Sequence, residues 1–478
     1  MPRTVRARLV VVALASVLGA PGAAQDKAAA PGQELPRGSV IERVACAGVP
    51  GQSYALYLPS GYTRDRAWPI LYAFDPGGQG ARPVKLAAAA AERFGWIVAG
   101  SNNSRNGPMA EIQAAVSALV TDAEARFAID SRRVYATGFS GGARVATGLA
   151  MGCRGCVAGV FAQGAGLPAG VASADGLDVP WFAAAGERDM NYAELFQLEQ
   201  ELLKRGARQR FRVFAGGHEW APVAVWEEAL AWFELLATSA GSKPRDAAFV
   251  ASQFQQSSAR ALAFRDRGEL LDERRELESV VRDFEGVADT AAARGRLKEL
   301  IASSAYKKAV DRQRSAIDEQ ARVTSDLGGA LMALASSGEG RAETVLRANR
   351  DANELTKNLA NAKDSDRRLV YERALSQAYI QAMEAARGAL RQQRTEAALD
   401  LFGIAGTLRP ETPQPQLGRA QAQAAAGRKP DAVRSLRRAL ELGLSPQDLA
   451  RVLESNDAFA KLRGDPDVAA LLTAAPRP

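Results

Sequence analysis

Between residues 40 and 238 the chain alternates short apolar runs with longer amphipathic stretches. Tyr54–Leu58 and Pro69–Phe74 read as strands, the second almost wholly apolar, as a strand buried on both faces is. Helical periodicity follows over Val84–Phe94, then a strand at Trp96–Gly100 and a helix at Glu111–Phe127. The alternation continues through strand Arg133–Phe139, helix Ala143–Met151 and strand Val157–Ala162. It closes with strand Trp181–Ala185, helix Tyr192–Arg205, strand Arg210–Phe214 and helix Val223–Leu236. Strands separated by such helices predict a parallel sheet with helices on both faces. Crossover handedness then gathers the loops that follow the strands along one rim.

From Asp246 to the end the pattern is helical throughout. Glu396-Ala-Ala-Leu-Asp-Leu401 matches Asp431-Ala-Val-Arg-Ser-Leu436 at a spacing of 35 residues. The helix before the second copy, Pro415–Ala426, ends in Gly427-Arg428, as one arm of a helical hairpin does. A looser earlier copy runs from Arg267-Gly268-Glu269 to Phe284. The period, near 34, resembles that of tetratricopeptide repeats; a generic helical domain is the alternative. Such arrays bind proteins or peptides on a concave face.

Composition marks the same division. All six tryptophans and all three cysteines precede residue 233. The expected organisation is a sheet domain over 40–238, a linker over 239–245 and a helical repeat domain over 246–478. Because the core is expected to lie wholly before the linker, deletion of 246–478 is expected to leave a foldable fragment. Residues 1–24 combine a basic start, a short apolar run and small residues, the pattern of a signal peptide. The expected location is therefore outside the cytoplasm, periplasmic or extracellular. That run is too short to span a bilayer comfortably, and no later stretch qualifies. Losing Arg3, Arg6 and Arg8 lowers the net charge of +7 by three, which gives nucleic-acid binding no support. Cys153 and Cys156 read as a structural bridge or buried thiols rather than a redox pair, and with Cys46 leave the pairing open.

The chemistry centres on His218, the only histidine in 478 residues. One imidazole excludes multi-histidine metal sites, and no cofactor is expected. Imidazole is also the side chain best suited to take and return a proton near neutral pH. Ser140, in Gly138-Phe-Ser-Gly-Gly142, follows a predicted strand directly and precedes a helix. Glycines on both sides permit the strained turn that lifts a serine hydroxyl above a sheet. The N–H of Gly141 then points where an oxyanion would form. Asp189 and His218 each come four residues after a strand, giving the order Ser, Asp, His.

Arg133-Val-Tyr-Ala-Thr-Gly-Phe-Ser140-Gly-Gly-Ala143, Gly186-Glu-Arg-Asp189 and Gly217-His-Glu-Trp220 resemble an α/β-hydrolase. They are most similar to secreted esterases of the polyhydroxybutyrate depolymerase and feruloyl esterase type. The resemblance covers roughly residues 40–238. It implies Ser140 as nucleophile, His218 as general base and later acid, and Asp189 as the group orienting the imidazole. It also implies an acyl-serine intermediate and a small or polymeric ester as substrate. The second oxyanion donor would come from Phe74-Asp-Pro-Gly-Gly-Gln-Gly80, where Pro76 has no N–H, leaving Gly77 or Gly78. The family commonly has a histidine before those glycines; here Asp75-Pro76 stands instead.

Three further residues have two readings each. Asp75 either caps a turn or touches substrate, and Trp220 is either a core anchor or a pocket wall. Asn102, in the loop Asn102-Asn-Ser-Arg105 at the same rim, is either plain loop or a specificity element. The short chain between the strands at Val157–Ala162 and Trp181–Ala185 leaves no room for a lipase-type lid and points to an open site. Alternatives to an ester hydrolase are a serine peptidase of the same fold and a non-catalytic protein that binds through its repeats.

Overall fold

A computed structural model describes residues 34–167, 177–336 and 340–473. The reading of residues 1–24 as a leader lies outside them, as does part of the segment whose brevity suggested an open site. Eight strands form one sheet: β1 (Val40–Ala45), β2 (Ser53–Tyr57), β3 (Trp68–Phe74), β4 (Ile97–Ser101), β5 (Ile129–Phe139), β6 (Gly159–Gln163), β7 (Trp181–Gly186) and β8 (Gln209–Phe214). Their order is β1-β2-β4-β3-β5-β6-β7-β8. The pairs β1–β2 and β2–β4 are antiparallel, and every pairing from β4 to β8 is parallel. This is the α/β-hydrolase fold. The parallel expectation therefore holds for the strands that end at the chemistry, while one flank is antiparallel. The missing signal was β1, an edge strand whose Glu42 and Arg43 are exposed.

Helices cover both faces. On one side, α2 (Met109–Arg126), α3 (Gly141–Gly152) and α4 (Tyr192–Lys204) bury Leu119, Ala146, Leu195 and Leu198 with Ile70, Tyr72 and Trp181. On the other, α1 (Ala81–Phe94) and α5 (Val223–Ser239) bury Val84, Trp226, Leu230 and Phe233 against Leu71, Phe161 and Phe182. That second core does not stop at the predicted linker. Val250 and Phe284 belong to it, on or just after α6 (Ala247–Asp266) and α7 (Leu270–Asp283). This corrects the expectation of a core complete before residue 239.

The reason is that β8 is an edge strand, and α7 lies against it. Arg210 and Arg212 on β8 are buried and pair with acids on both sides of the linker. Arg210 reaches Asp283 at 3.1 Å, and Arg212 bonds Glu228 and Glu276. The Trp232 indole also donates to Asp283, at 2.8 Å. Edges covered this way cannot template pairing with another chain. Nearby, wholly buried Glu199 on α4 accepts from Arg274 at 2.9 Å and Arg275 at 2.8 Å, which hold its carboxyl below the ordinary glutamate value despite burial.

The remaining helices are α8 (Ala291–Ala302), α9 (Ser304–Ser336), α10 (Arg341–Asn361), α11 (Ser365–Arg391), α12 (Thr395–Leu408), α13 (Gln414–Ala425), α14 (Lys429–Glu441), α15 (Pro446–Ser455) and α16 (Pro466–Thr473). No described helix is long and apolar enough to cross a membrane. Three hairpins, α6–α7, α11–α12 and α13–α14, turn in the same way. At each, a left-handed residue and its successor donate back into the last turn of the preceding helix. The pairs are Gly268 with Glu269, Gln393 with Arg394, and Gly427 with Arg428. The Cys153–Cys156 disulfide closes a short surface loop, and buried Cys46 keeps a free thiol that burial raises to about 11.

Glu199→Gln is expected to cost roughly 1–3 kcal/mol at neutral pH, because two buried guanidinium groups lose the anion they share and keep only their second acids, Glu278 and Asp272. The folded value lies below the unfolded one, so this stabilisation is complete above the unfolded value. It is lost as pH falls through the folded value. Urea denaturation at successively lower pH checks this: the gap between wild type and variant narrows on acidification.

Candidate active site

Ser140 sits at the junction of β5 and α3 with φ 53° and ψ −121°. It is one of two non-glycine residues with positive φ among those described. Two of its neighbours must be glycine. A Cβ on Gly138 would lie 2.1 Å from the carbonyl oxygen of Gly142, and one on Gly142 1.9 Å from that of Phe74. The sharp turn is thus wedged between β3 and the start of α3. The Ser140 N–H donates to Gln163 O at 2.8 Å, adding an anchor on β6.

The loops after β7 and β8 bring the other two residues to this turn. His218 Nε2 lies 2.9 Å from Ser140 Oγ, and its Nδ1 lies 2.8 Å from Asp189 Oδ1. With the proton on Nδ1 held by the carboxylate, the Nε2 lone pair faces the serine hydroxyl. The two loops are also bonded to each other: Glu187 N–H donates to Phe214 O and Arg188 N–H to Gly216 O, both at 2.9 Å. A Cβ on Gly186 would come 2.2 Å from Gly217 O, so only glycine allows this approach. Asp189 is fully buried, its Oδ1 also accepts from Asn191 N–H at 2.8 Å, and its Oδ2 has no partner.

The imidazole is largely enclosed, with 18% of the side chain exposed. Phe139 lies 4.5 Å from it, centroid to centroid, and Trp220 5.5 Å from Phe139. Trp220 is buried in the second core and donates to Asp75 Oδ2 at 3.1 Å. The core-anchor reading is therefore the one its surroundings match. Asp75 is also buried, and its Oδ1 accepts from Gly77 N–H at 2.8 Å and Gln79 N–H at 3.2 Å. Gly78 N–H donates to Asp75 O at 3.0 Å. Gly77 and Gly78, expected as oxyanion donors, thus have both N–H groups taken up inside their own turn. Asp75 caps that turn and ties it to Trp220. Asn102 donates to Glu42 O at 3.1 Å and Ser53 Oγ at 3.3 Å, a tie between strands.

Gly141, the first residue of α3, keeps an N–H that the helix cannot satisfy. Beside it lies Asn106, the residue directly after the stretch Asn102–Arg105, which no motif marks in the sequence. Its N–H donates to Pro76 O at 2.8 Å, joining the loops after β4 and β3. Its side-chain amide lies against Gly141: a Cβ there would meet Oδ1 at 1.8 Å and Nδ2 at 3.2 Å. Gln163, also unforeseen, is fully buried beneath the site and bonds Thr137 Oγ1 and the N–H of Ala221.

No protein-family model and no curated protein matches the chain. Solved structures do. A thermostable esterase is 19% identical over 38% of this chain, with a TM-score of 0.32; the chain spans 58% of that protein's length. A ferulic acid esterase is 17% identical over 40% of this chain and 94% of its own, with a TM-score of 0.33. The propionate-bound esterase Est2 of the planctomycete Thermogutta terrifontis is 14% identical over 44% and 98%, with a TM-score of 0.35. These are likenesses of fold.

Gly142→Ala is expected to cost roughly 3 kcal/mol or more, since its methyl would meet a strand carbonyl that has nowhere to move. Thermal denaturation of the variant checks this; a wild-type melting temperature would remove the wedge from the account.

Proposed function

We propose that the protein is a serine hydrolase of carboxyl esters, with Ser140 as nucleophile, His218 as general base and then acid, and Asp189 as orienting carboxylate. The observation that carries this reading is the continuous relay Ser140–His218–Asp189, at 2.9 and 2.8 Å, built on the chain's only imidazole. His218 takes the serine proton as Oγ adds to the ester carbonyl. The oxyanion then collapses, expelling the alcohol, which receives that proton. Water repeats the sequence on the acyl-serine and frees the acid. Gly141 N–H stabilises the oxyanion, and the Asn106 amide, once rotated so that Nδ2 takes the place of Oδ1, supplies the second donor. The motifs around the three residues support the finer reading of a secreted esterase of the polyhydroxybutyrate depolymerase and feruloyl esterase kind. We further propose that residues 1–24 direct export and that the tetratricopeptide-like hairpins dock a protein or peptide.

A fluorophosphonate is expected to label the wild type and not Ser140→Ala. His218→Ala abolishes turnover, and Asp189→Asn lowers kcat by about 10⁴. If the wild type does not label, the hydrolase reading fails; hydrolysis of peptides alone in a panel with short acyl, aryl and polyester substrates overturns the ester assignment.

Asn106→Ala is expected to lower kcat by roughly 10²–10³ with little change in KM, the size of one oxyanion donor. Wild-type kcat in that variant excludes the amide as second donor.

A further inference from the structure

The helical region reaches the candidate acid from outside the sheet domain. Arg373, on α11 and buried, donates from Nε to the carbonyl oxygen of Glu187 at 2.6 Å. Its guanidinium stacks 3.8 Å from the ring centroid of Tyr192. Gln320, on α9 and buried, donates from Nε2 to Met190 O at 2.9 Å. Gln313, on the same helix, donates to the Tyr192 hydroxyl at 2.7 Å. These contacts bracket Asp189: one carbonyl lies two residues before it, another one residue after it, and the gripped tyrosine opens α4 three residues on.

Two features say that this grip acts on the carboxylate rather than merely joining two surfaces. Asp189 Oδ2 is buried without a hydrogen-bond partner, so its orientation depends on the turn that carries it. Arg373 also brings a positive charge whose field acts on Asp189 and Glu187, although burial lowers its own proton affinity. A guanidinium placed there against its desolvation cost needs anions and a carbonyl dipole to hold it. The acid turn supplies both.

We propose that Arg373 and Gln320 are positioning residues for Asp189. They fix the Glu187–Met190 turn so that the carboxylate meets His218 Nδ1, and the helical region is thereby a structural part of the catalytic unit. This rests on the hydrolase reading above for its kinetic consequence, but not for its structural one.

The full chain without a histidine tag has a single imidazole, so ¹⁵N-histidine labelling gives one pair of ring resonances. In the wild type the Nδ1 proton is held by Asp189 and resonates far downfield. Arg373→Ala and Gln320→Ala are each expected to move or broaden that proton. They are also expected to lower kcat on a short acyl ester by about tenfold to a hundredfold, with KM within twofold. This stays below the roughly 10⁴ expected from disabling the carboxylate itself. Arg373→Lys keeps the charge and one donor and is expected to restore the resonance and most of kcat. Arg341→Ala, which breaks a pair with Asp400 elsewhere in the helical region, is the control that leaves both unchanged. Wild-type ring resonances in Arg373→Ala and Gln320→Ala overturn the proposal. If Arg373→Ala does not fold, Gln320→Ala and Arg373→Lys decide it by the same readouts. A wild type that no fluorophosphonate labels defeats the hydrolase reading alone, because the resonance comparison needs no substrate.

Discussion

A carboxylate sealed from water is unfavourable unless donors and charges surround it, and the architecture around this site follows from sealing Asp189. One oxygen has two donors, the His218 ring and the Asn191 N–H, and the other has none. Leaving a buried acceptor unpaired costs about 1–3 kcal/mol, so the turn must be held from elsewhere. The loop after β8 does part of this, through bonds from Glu187 and Arg188 to Phe214 and Gly216. Helices α9 and α11 do the rest. The geometry at one oxygen therefore draws on strands and helices far apart in the chain.

The buried arginines extend this logic. Arg210, Arg212, Arg274 and Arg275 would read as solvated charge in a composition count, yet all four lie inside. Each pairs with acids from another element, so the contact between the last strands and the first helical hairpin is polar as well as apolar. Breaking one partner of such a cluster is far costlier than the cluster is stabilising, because a charge is then stranded in the interior. The sheet and the helices that follow it are consequently bound to share a stability, whatever the composition says about a boundary at residues 239–245.

Much of this was legible in the chain. Strands β2, β3, β4, β6 and β7 are short, largely apolar runs, and burial on both faces is what makes such runs readable. Ser140 announced itself through its glycines, and His218 through being alone. Other features left no local mark. The bond from Arg373 to Glu187 joins residues 186 apart, and no periodicity records a contact of that range. Asp75 had two readings, a turn cap or a substrate contact, and its bonds to the N–H groups of Gly77 and Gln79 match the cap. Asn106 had no motif at all, since its place beside Gly141 arises from two loops on neighbouring strands.

Ser140 and Gln393 are the two described non-glycine residues with positive φ, and they mean different things. Gln393 is exposed in a hairpin turn whose counterparts are Gly268 and Gly427, so the strained residue stands where related turns use glycine. Its side chain makes no demand on the position. At Ser140 the strain, of order 1–3 kcal/mol, is enforced from three sides: β3 through Gly142, β6 through Gln163, and the β5–α3 turn through Gly138. Relaxing it would require several strands to move together. A glycine there would remove the strain and also the hydroxyl, which is the one group the relay of His218 and Asp189 is arranged to meet.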